Sequence, residues 1–231
     1  MIAQGIGSLS GPRIAVVGVG GAGCNVASSF VSECCPVDTI AINTDKEGLH
    51  RTSADLKLYI CKEVLHGEGT GGNAVIGKRC ADIHKEEIRQ ALSGYDAVFV
   101  IGGLGGGTGT GAMPVVIDEA KAQGAMTFAI AISPFTLEGQ RKTIAKEAWR
   151  HIAAMCESSI LVDNDKVLDL MKNLTMDRAF AEVNRSIRVH VISCIKSLNE
   201  KFSSVEIRRE KVRTETAERS SLYPINSLIS T

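Results

Sequence analysis

The stretch that most constrains this chain is Gly102-Gly103-Leu104-Gly105-Gly106-Gly107-Thr108-Gly109-Thr110-Gly111, set between two ordered segments. The run before it, Ala97-Val98-Phe99-Val100-Ile101, reads as a buried parallel strand. Behind it, Met113, Val116, Ile117 and Ala120 recur at helical spacing, with Pro114 where a first helical turn tolerates it. A strand that empties through glycines into a helix presents successive N–H groups and the positive dipole end to one point, so an anion, most often a phosphate, belongs there. A flexible linker of the same composition would not lie between a strand and a helix, and the two threonines add hydroxyl donors.

A chain of 231 residues with 44% apolar content can bury a real core, and one domain is the leading count. Charge is balanced, 26 basic against 26 acidic side chains, which argues against a nucleic-acid partner. Seven cysteines without a C-x-x-C pair and five scattered histidines point to reduced thiols in a cytoplasmic protein with no protein-built metal site. No run has membrane-spanning length, so direct membrane insertion is not expected.

Taken in order, Ile14–Val17 reads as the first strand, followed by Gly18-Val19-Gly20-Gly21-Ala22-Gly23-Cys24-Asn25 and a helix through Val26, Phe30 and Val31. Gly18-x-Gly20-x-x-Gly23 satisfies the dinucleotide fingerprint, and Asp45 stands about twenty residues on, where a ribose-binding acid belongs. Alone, this would suggest a nicotinamide enzyme. The second glycine loop argues instead for one polyphosphate chain gripped from two sides. The strand Thr39–Ile42 ends in Asn43-Thr44-Asp45, which reads either as ligand-facing side chains or as a helix cap before Glu47. A third strand, Leu56–Ile60, precedes Gly67-Glu68-Gly69-Thr70-Gly71-Gly72-Asn73, a loop expected to close over a terminal phosphate. Gly72 to Arg79 imitates a P-loop but puts Arg79 where a magnesium-binding hydroxyl should be. An amphipathic helix is expected over Gly77 to Leu92.

The strand Thr127–Ile132 leads to Ser133-Pro134-Phe135-Thr136-Leu137-Glu138-Gly139-Gln140-Arg141-Lys142. Glu138 can accept from ribose hydroxyls, or serve only as first-turn charge complement of the following helix. The strand Ser159–Val162 ends at Asp163-Asn164-Asp165-Lys166, and a long helix from about Thr175 carries Phe180, Val183, Ile187 and Val191 on one stripe. Phe180 and Asn184, four apart, share a face and could stack on and read a base; from the residues alone a core Phe and a surface Asn are favoured. Glu206 to Arg219 reads as an exposed helix or a disordered tail, and the last residues, 222–229, are too few for a second domain.

With these loops assembled, the chain resembles the nucleotide-binding domain of the FtsZ/tubulin family of GTP-binding cytoskeletal proteins, and looks closest to prokaryotic FtsZ. The resemblance covers residues 13 to about 200 through 20–25, 43–45, 67–73, 105–111, 134–139 and 164–166. It implies a Rossmann-like α/β fold, a parallel sheet with helices on both faces ending in a long core helix. It implies residues 1–12 as a lead, 13–202 as the GTP-binding domain and 203–231 as a charged tail, with the family's second domain absent. It also implies GTP or GDP with Mg²⁺. Gly20, Gly21, Ala22, Gly23, Cys24 and Asn25, together with Gly105, Gly106, Gly107, Thr108, Gly109, Thr110 and Gly111, would cradle the phosphates. Asn43 and Asp45 would line the site, and Gly69, Thr70, Gly71 and Gly72 would meet the γ-phosphate. Pro134, Glu138 and Lys142 would serve the ribose segment, and Asn164, Phe180 and Asn184 the guanine. The family usually has Arg where this chain has Lys142, with Arg141 one place early; a lysine keeps the charge and loses the planar fork.

The family hydrolyses GTP where a neighbour's Asn-x-Asp-x-x-Asp loop reaches the nucleotide, and this sequence has no Asp after Asp177. No catalytic residue is therefore assigned. The leading expectation is a cytoplasmic FtsZ-like GTP-binding protein of the prokaryotic tubulin cytoskeleton, a slow GTPase unless a second chain supplies the catalytic loop, with a full-length FtsZ-type subunit or another copy as its partner. The alternative is a non-hydrolysing, GTP-bound module that caps or regulates filaments of such a subunit.

Overall fold

A computed structural model describes residues 11–31, 37–61, 67–166 and 175–222, with side chains described as far as residue 205. The lead, 1–10, and the end, 223–231, lie outside the described residues. Residues Arg13–Ile192 form one compact unit, to which the sheet belongs, and the chain from Ser193 belongs to another.

Six strands alternate with helices: β1 (Ile14–Val19), α1 (Gly20–Ser28), β2 (Asp38–Asn43), α2 (Lys46–Arg51), β3 (Leu56–Tyr59), α3 (Ala74–Ile83), α4 (Lys85–Ala91), β4 (Ala97–Gly103), α5 (Gly107–Ala122), β5 (Met126–Ser133), α6 (Gln140–Met155), β6 (Ser159–Asp163) and α7 (Met176–Leu222). The order across the sheet is β3-β2-β1-β4-β5-β6, and every pairing is parallel. Val17 sits opposite Ile40 on one side and Val100 on the other. The central strand β1 is buried throughout and β4 nearly so, whereas β3 and β6, at the edges, are partly exposed. Unbroken apolar runs are what strands covered on both faces require. The chain leaves β1 toward one edge and returns to β4 for the other, so the direction in which the chain winds across the sheet reverses between these two strands. In open parallel sheets, ligands bind at that reversal, beyond the strands' C-terminal ends.

Two helices differ from expectation. The helix after β4 starts at Gly107, so Thr108, Gly109, Thr110 and Gly111 are helical and Pro114 lies inside it. Sequence spacing missed this because glycine is a poor helix former on its own. Here the missing side chains let α5 and α3 touch backbone to backbone. A Cβ on Gly111 would fall on the Ala74 carbonyl, one on Gly77 on the Gly107 carbonyl, and one on Gly107 on the Thr70 side chain. The helix expected over 77–92 is two helices meeting at His84, and the first begins earlier, where Asn73 Oδ1 accepts from Val75 N–H at 2.9 Å and Ile76 N–H at 3.2 Å. At the break, the His84 imidazole Nε2 accepts from Cys61 N–H, 2.8 Å away. The charged stretch 206–219 is helical, part of α7. Among the described residues, no helix is long and apolar enough to cross a membrane.

Candidate functional site

At the sheet's reversal lies a cavity of about 790 Å³. Its floor is Val19 to Ala22 after β1 and Gly103, Leu104 and Gly106 to Gly109 after β4. The helices α1 and α5 begin here, and neither has a side chain capping its first turn. Elsewhere the chain supplies such caps: Asp45 Oδ1 accepts from Gly48 N–H at 3.0 Å at the start of α2, as Asn73 does for α3. Two uncapped N-termini facing one cavity leave amide donors and two positive dipole ends for an anion. Gly20 adopts φ +71° where its backbone passes Gly109, a conformation and a closeness that only glycine allows.

One wall holds Asn43, Thr44, Asp45, Glu68, Gly69 and Thr70. Asn43 is buried and folds its own Oδ1 onto Thr44 N–H at 2.9 Å. Thr44 and Thr108 join hydroxyls, and Asp45 pairs by a backbone bridge with Glu68. The opposite end holds Pro134, Glu138, Arg141, Asn164, Asp177, Phe180 and Asn184. Phe180 is 43% exposed and meets the buried Phe135 edge-on, ring centroids 5.2 Å apart. It is therefore not the core residue its stripe suggested: α7 turns this position toward the cavity. Asn164 is 3% exposed, and its Oδ1 is buried with no hydrogen-bond partner.

Of the residues singled out from sequence, Gly20, Gly21, Ala22, Asn25, Asn43, Asp45, Gly69, Thr70, Gly106 to Gly109, Pro134, Glu138, Asn164, Phe180 and Asn184 line this cavity. The others do not line it. Gly23 packs on the Ile101 carbonyl. Cys24 turns its thiol into the core, donating to the Gly18 carbonyl at 3.5 Å, and burial pushes its pKa up to about 12. Thr110 Oγ1 accepts from Gly105 N–H at 2.9 Å, bracing the glycine turn from within. Gly71 and Gly72 shape their loop with positive φ, and Gly111 serves the contact between α3 and α5.

Lys142 is the largest displacement from expectation. Its Nζ donates to the Pro134 carbonyl at 2.9 Å, Asp163 Oδ1 at 2.6 Å and Asp165 Oδ2 at 2.7 Å. Burial alone would lower its pKa, but the two carboxylates more than offset this and hold it above the usual lysine value. Burial would likewise raise Asp165, yet Lys142 and the Thr136 N–H and hydroxyl bring it down to about 2. Arg141, named in sequence only as a neighbour, lines the cavity, with Nη1 2.9 Å from Glu138 Oε2. The other Glu138 oxygen accepts from Phe135 N–H at 2.9 Å.

A doubly wound parallel sheet whose reversal point presents two bare helix ends and a glycine loop is the architecture of the nucleotide-binding class of α/β domains. Residues 13–172 match the Tubulin/FtsZ family, GTPase domain, and the chain belongs to that family. It is 39% identical over 203 residues to Cell division protein FtsZ 1 of Pyrococcus horikoshii, covering 87% of this chain and 54% of the relative. With Cell division protein FtsZ 2 of Methanocaldococcus jannaschii it shares 41% over 169 residues, 73% of this chain and 44% of the relative. The chain thus spans about half the length of the curated relatives it matches. Among solved structures, an empty FtsZ dimer from M. jannaschii superposes with TM-score 0.78 at 34% identity, covering 83% of this chain and 57% of that one. A GTPγS-bound protofilament of CetZ2 from Haloferax volcanii gives TM-score 0.72 at 27% identity, covering 79% and 57%.

Proposed function

We propose that the cavity binds GTP or GDP, with the phosphates on the ends of α1 and α5 and the guanine between Phe180, Asn184 and Asn164. The observation that carries this reading is the polarity of the cavity: unclaimed amide donors at one end and the unpartnered Asn164 Oδ1 at the other. Guanine offers two adjacent donors, N1–H and N2–H₂, to a carbonyl oxygen, whereas adenine offers only its N6 amino group beside an acceptor at N1, so guanine is the better match. Glu138 would accept from the ribose, and Gly69 and Thr70 stand where a γ-phosphate would end.

Asp45 and Glu68 beside that end would repel phosphate oxygens, so the residues present fit a nucleotide-borne Mg²⁺. Among the described residues, no cluster of three ligating side chains forms a cage, which suits a cation held through phosphates, waters and one or two protein oxygens. Asp45, Glu68 and the Thr108 hydroxyl would hold it, and its chemistry is to neutralise charge on the β- and γ-oxygens.

Hydrolysis adds water to the γ-phosphorus and breaks its bond to the β–γ bridging oxygen, releasing GDP and inorganic phosphate. Positioned acid–base groups contribute about 10² to 10⁴ in rate, and this sequence has no Asp beyond Asp177 for the Asn-x-Asp-x-x-Asp loop. The chain is therefore a GTP-binding, slowly hydrolysing protein of the prokaryotic tubulin cytoskeleton, acting in the cytoplasm. A facing full-length FtsZ-type subunit supplies the missing carboxylates, which another copy of this chain equally lacks. Calorimetry with GTP, GDP and ATP, followed by phosphate release with and without a full-length FtsZ from the same cell, tests this. Guanine-selective binding and release that rises on mixing are expected. Absence of heat with GTP and GDP would refute the binding. Fast release by the protein alone would refute the need for a partner, and shortened filaments without added release would mark a capping subunit.

A further inference from the structure

The two adjacent cations after β5 have divided their work. Lys142 Nζ has three N–H donors, and three acceptors within 2.9 Å take them: the Pro134 carbonyl, Asp163 and Asp165. No donor remains for a ligand. Its acceptors lie on two different segments, the one following β5 and the one ending β6, and Asp165 reaches back to Thr136 N–H at 2.9 Å and Thr136 Oγ1 at 2.7 Å. These segments carry Glu138 and Asn164 into the cavity. Arg141 is the converse case. It lines the cavity, and the described contacts engage only one guanidinium nitrogen, with Glu138. Its backbone abuts Gly105 of the glycine turn, so the residue stands between the acid at 138 and the amide cradle.

We propose that Arg141 is the cation that contacts the nucleotide's phosphate–ribose segment in this chain, and that Lys142 is a positioning residue that fixes the spacing between the segments bearing Glu138 and Asn164. The inference rests on the guanine-nucleotide reading above. A planar guanidinium already oriented by Glu138 keeps donors for phosphate oxygens. The half-buried Lys142 ammonium instead ties the segments after β5 and β6 together.

Affinities of the full chain for guanosine, GDP and GTP, measured by calorimetry at a temperature where every variant is folded, separate these roles. Arg141→Gln should weaken GTP and GDP by about tenfold and guanosine by about twofold or less, since a charge-assisted contact is lost only when phosphates are present. Lys142→Met should weaken all three by a common factor, because it loosens the ribose and base contacts and leaves the phosphate cradle intact. Lys142→Arg, which keeps a cation between the carboxylates, should recover most of the guanosine affinity. A loss confined to GTP and GDP in Lys142→Met, or an unchanged GTP affinity in Arg141→Gln, would overturn the assignment while leaving the nucleotide reading intact. A parent chain that binds none of the three would overturn both.

Discussion

The hydroxyls of Thr44 and Thr108 meet at 2.7 Å, joining the end of β2 to the first turn of α5. Both residues are buried, at 0% and 8% exposure. Replacing either by valine leaves the other, largely buried hydroxyl without its partner, which typically costs about 1–3 kcal/mol. Thr44→Val with Thr108→Val should cost less than the sum of the single changes, a coupling that urea denaturation of the four proteins would measure.

The glycines of α5 are expected to be sensitive according to what faces them. Gly111→Ala puts a methyl onto the backbone of α3, which cannot yield as a flexible side chain can, so a loss of about 1–3 kcal/mol or more is expected. Gly106→Ala meets open space at ordinary negative φ and should be nearly neutral. Equal melting temperatures for the two variants would contradict the packing described.

Asn164 should trade stability for binding. Its Oδ1 is buried without a partner, so Asn164→Leu, similar in size, should raise the melting temperature of the nucleotide-free protein, by about 1 kcal/mol in stability. The same variant should lose guanine-nucleotide binding. A variant that binds GTP normally would remove Asn164 from the base site.

Acid should loosen the loops around Lys142. The Asp165 carboxyl is brought from 3.8 down to about 2 in the folded protein. A carboxylate lowered on folding stabilises the fold fully above its unfolded value, and that contribution is lost as pH falls from about 4 toward 2. Asp165→Asn should flatten this part of the stability profile between pH 5 and 2, read by thermal denaturation at each pH.

Cys24 should be inert although it follows a glycine loop. With its thiol pushed up to about 12 and its sulfur buried, it carries almost no thiolate at pH 8. Brief alkylation of the native protein, read by peptide mass spectrometry, should leave Cys24 unmodified and label it fully after unfolding.

Sequence reading reached the sheet and most of the cavity because apolar runs and glycine loops are local signals. Gly20, Gly69, Thr108, Glu138 and Asn164 all lie in the segments that follow the C-terminal ends of strands, and in a parallel sheet those ends share one edge. What it missed depends on which loops become neighbours across the sheet. That Lys142 would be captured by Asp163 and Asp165 needs β5 and β6 side by side. Helical glycines 107–111 were legible only through their partner, since nothing local says that α3 will lie against them. Phe180 shows the limit of periodicity: it sits on the apolar stripe of α7 yet half faces solvent, because the stripe continues past the core into the cavity.

The close backbone seam between α3 and α5 has a mechanical corollary. Thr70 and Asn73, at the rim, are wedged against Gly107, while Ala74 and Lys78 bear on Gly111. At Gly77 and Gly111 the contact is backbone on backbone, with little to absorb a displacement. If the cavity holds the proposed nucleotide, a shift of the rim with its terminal phosphate would be passed to the start of α3 rather than taken up at the contact.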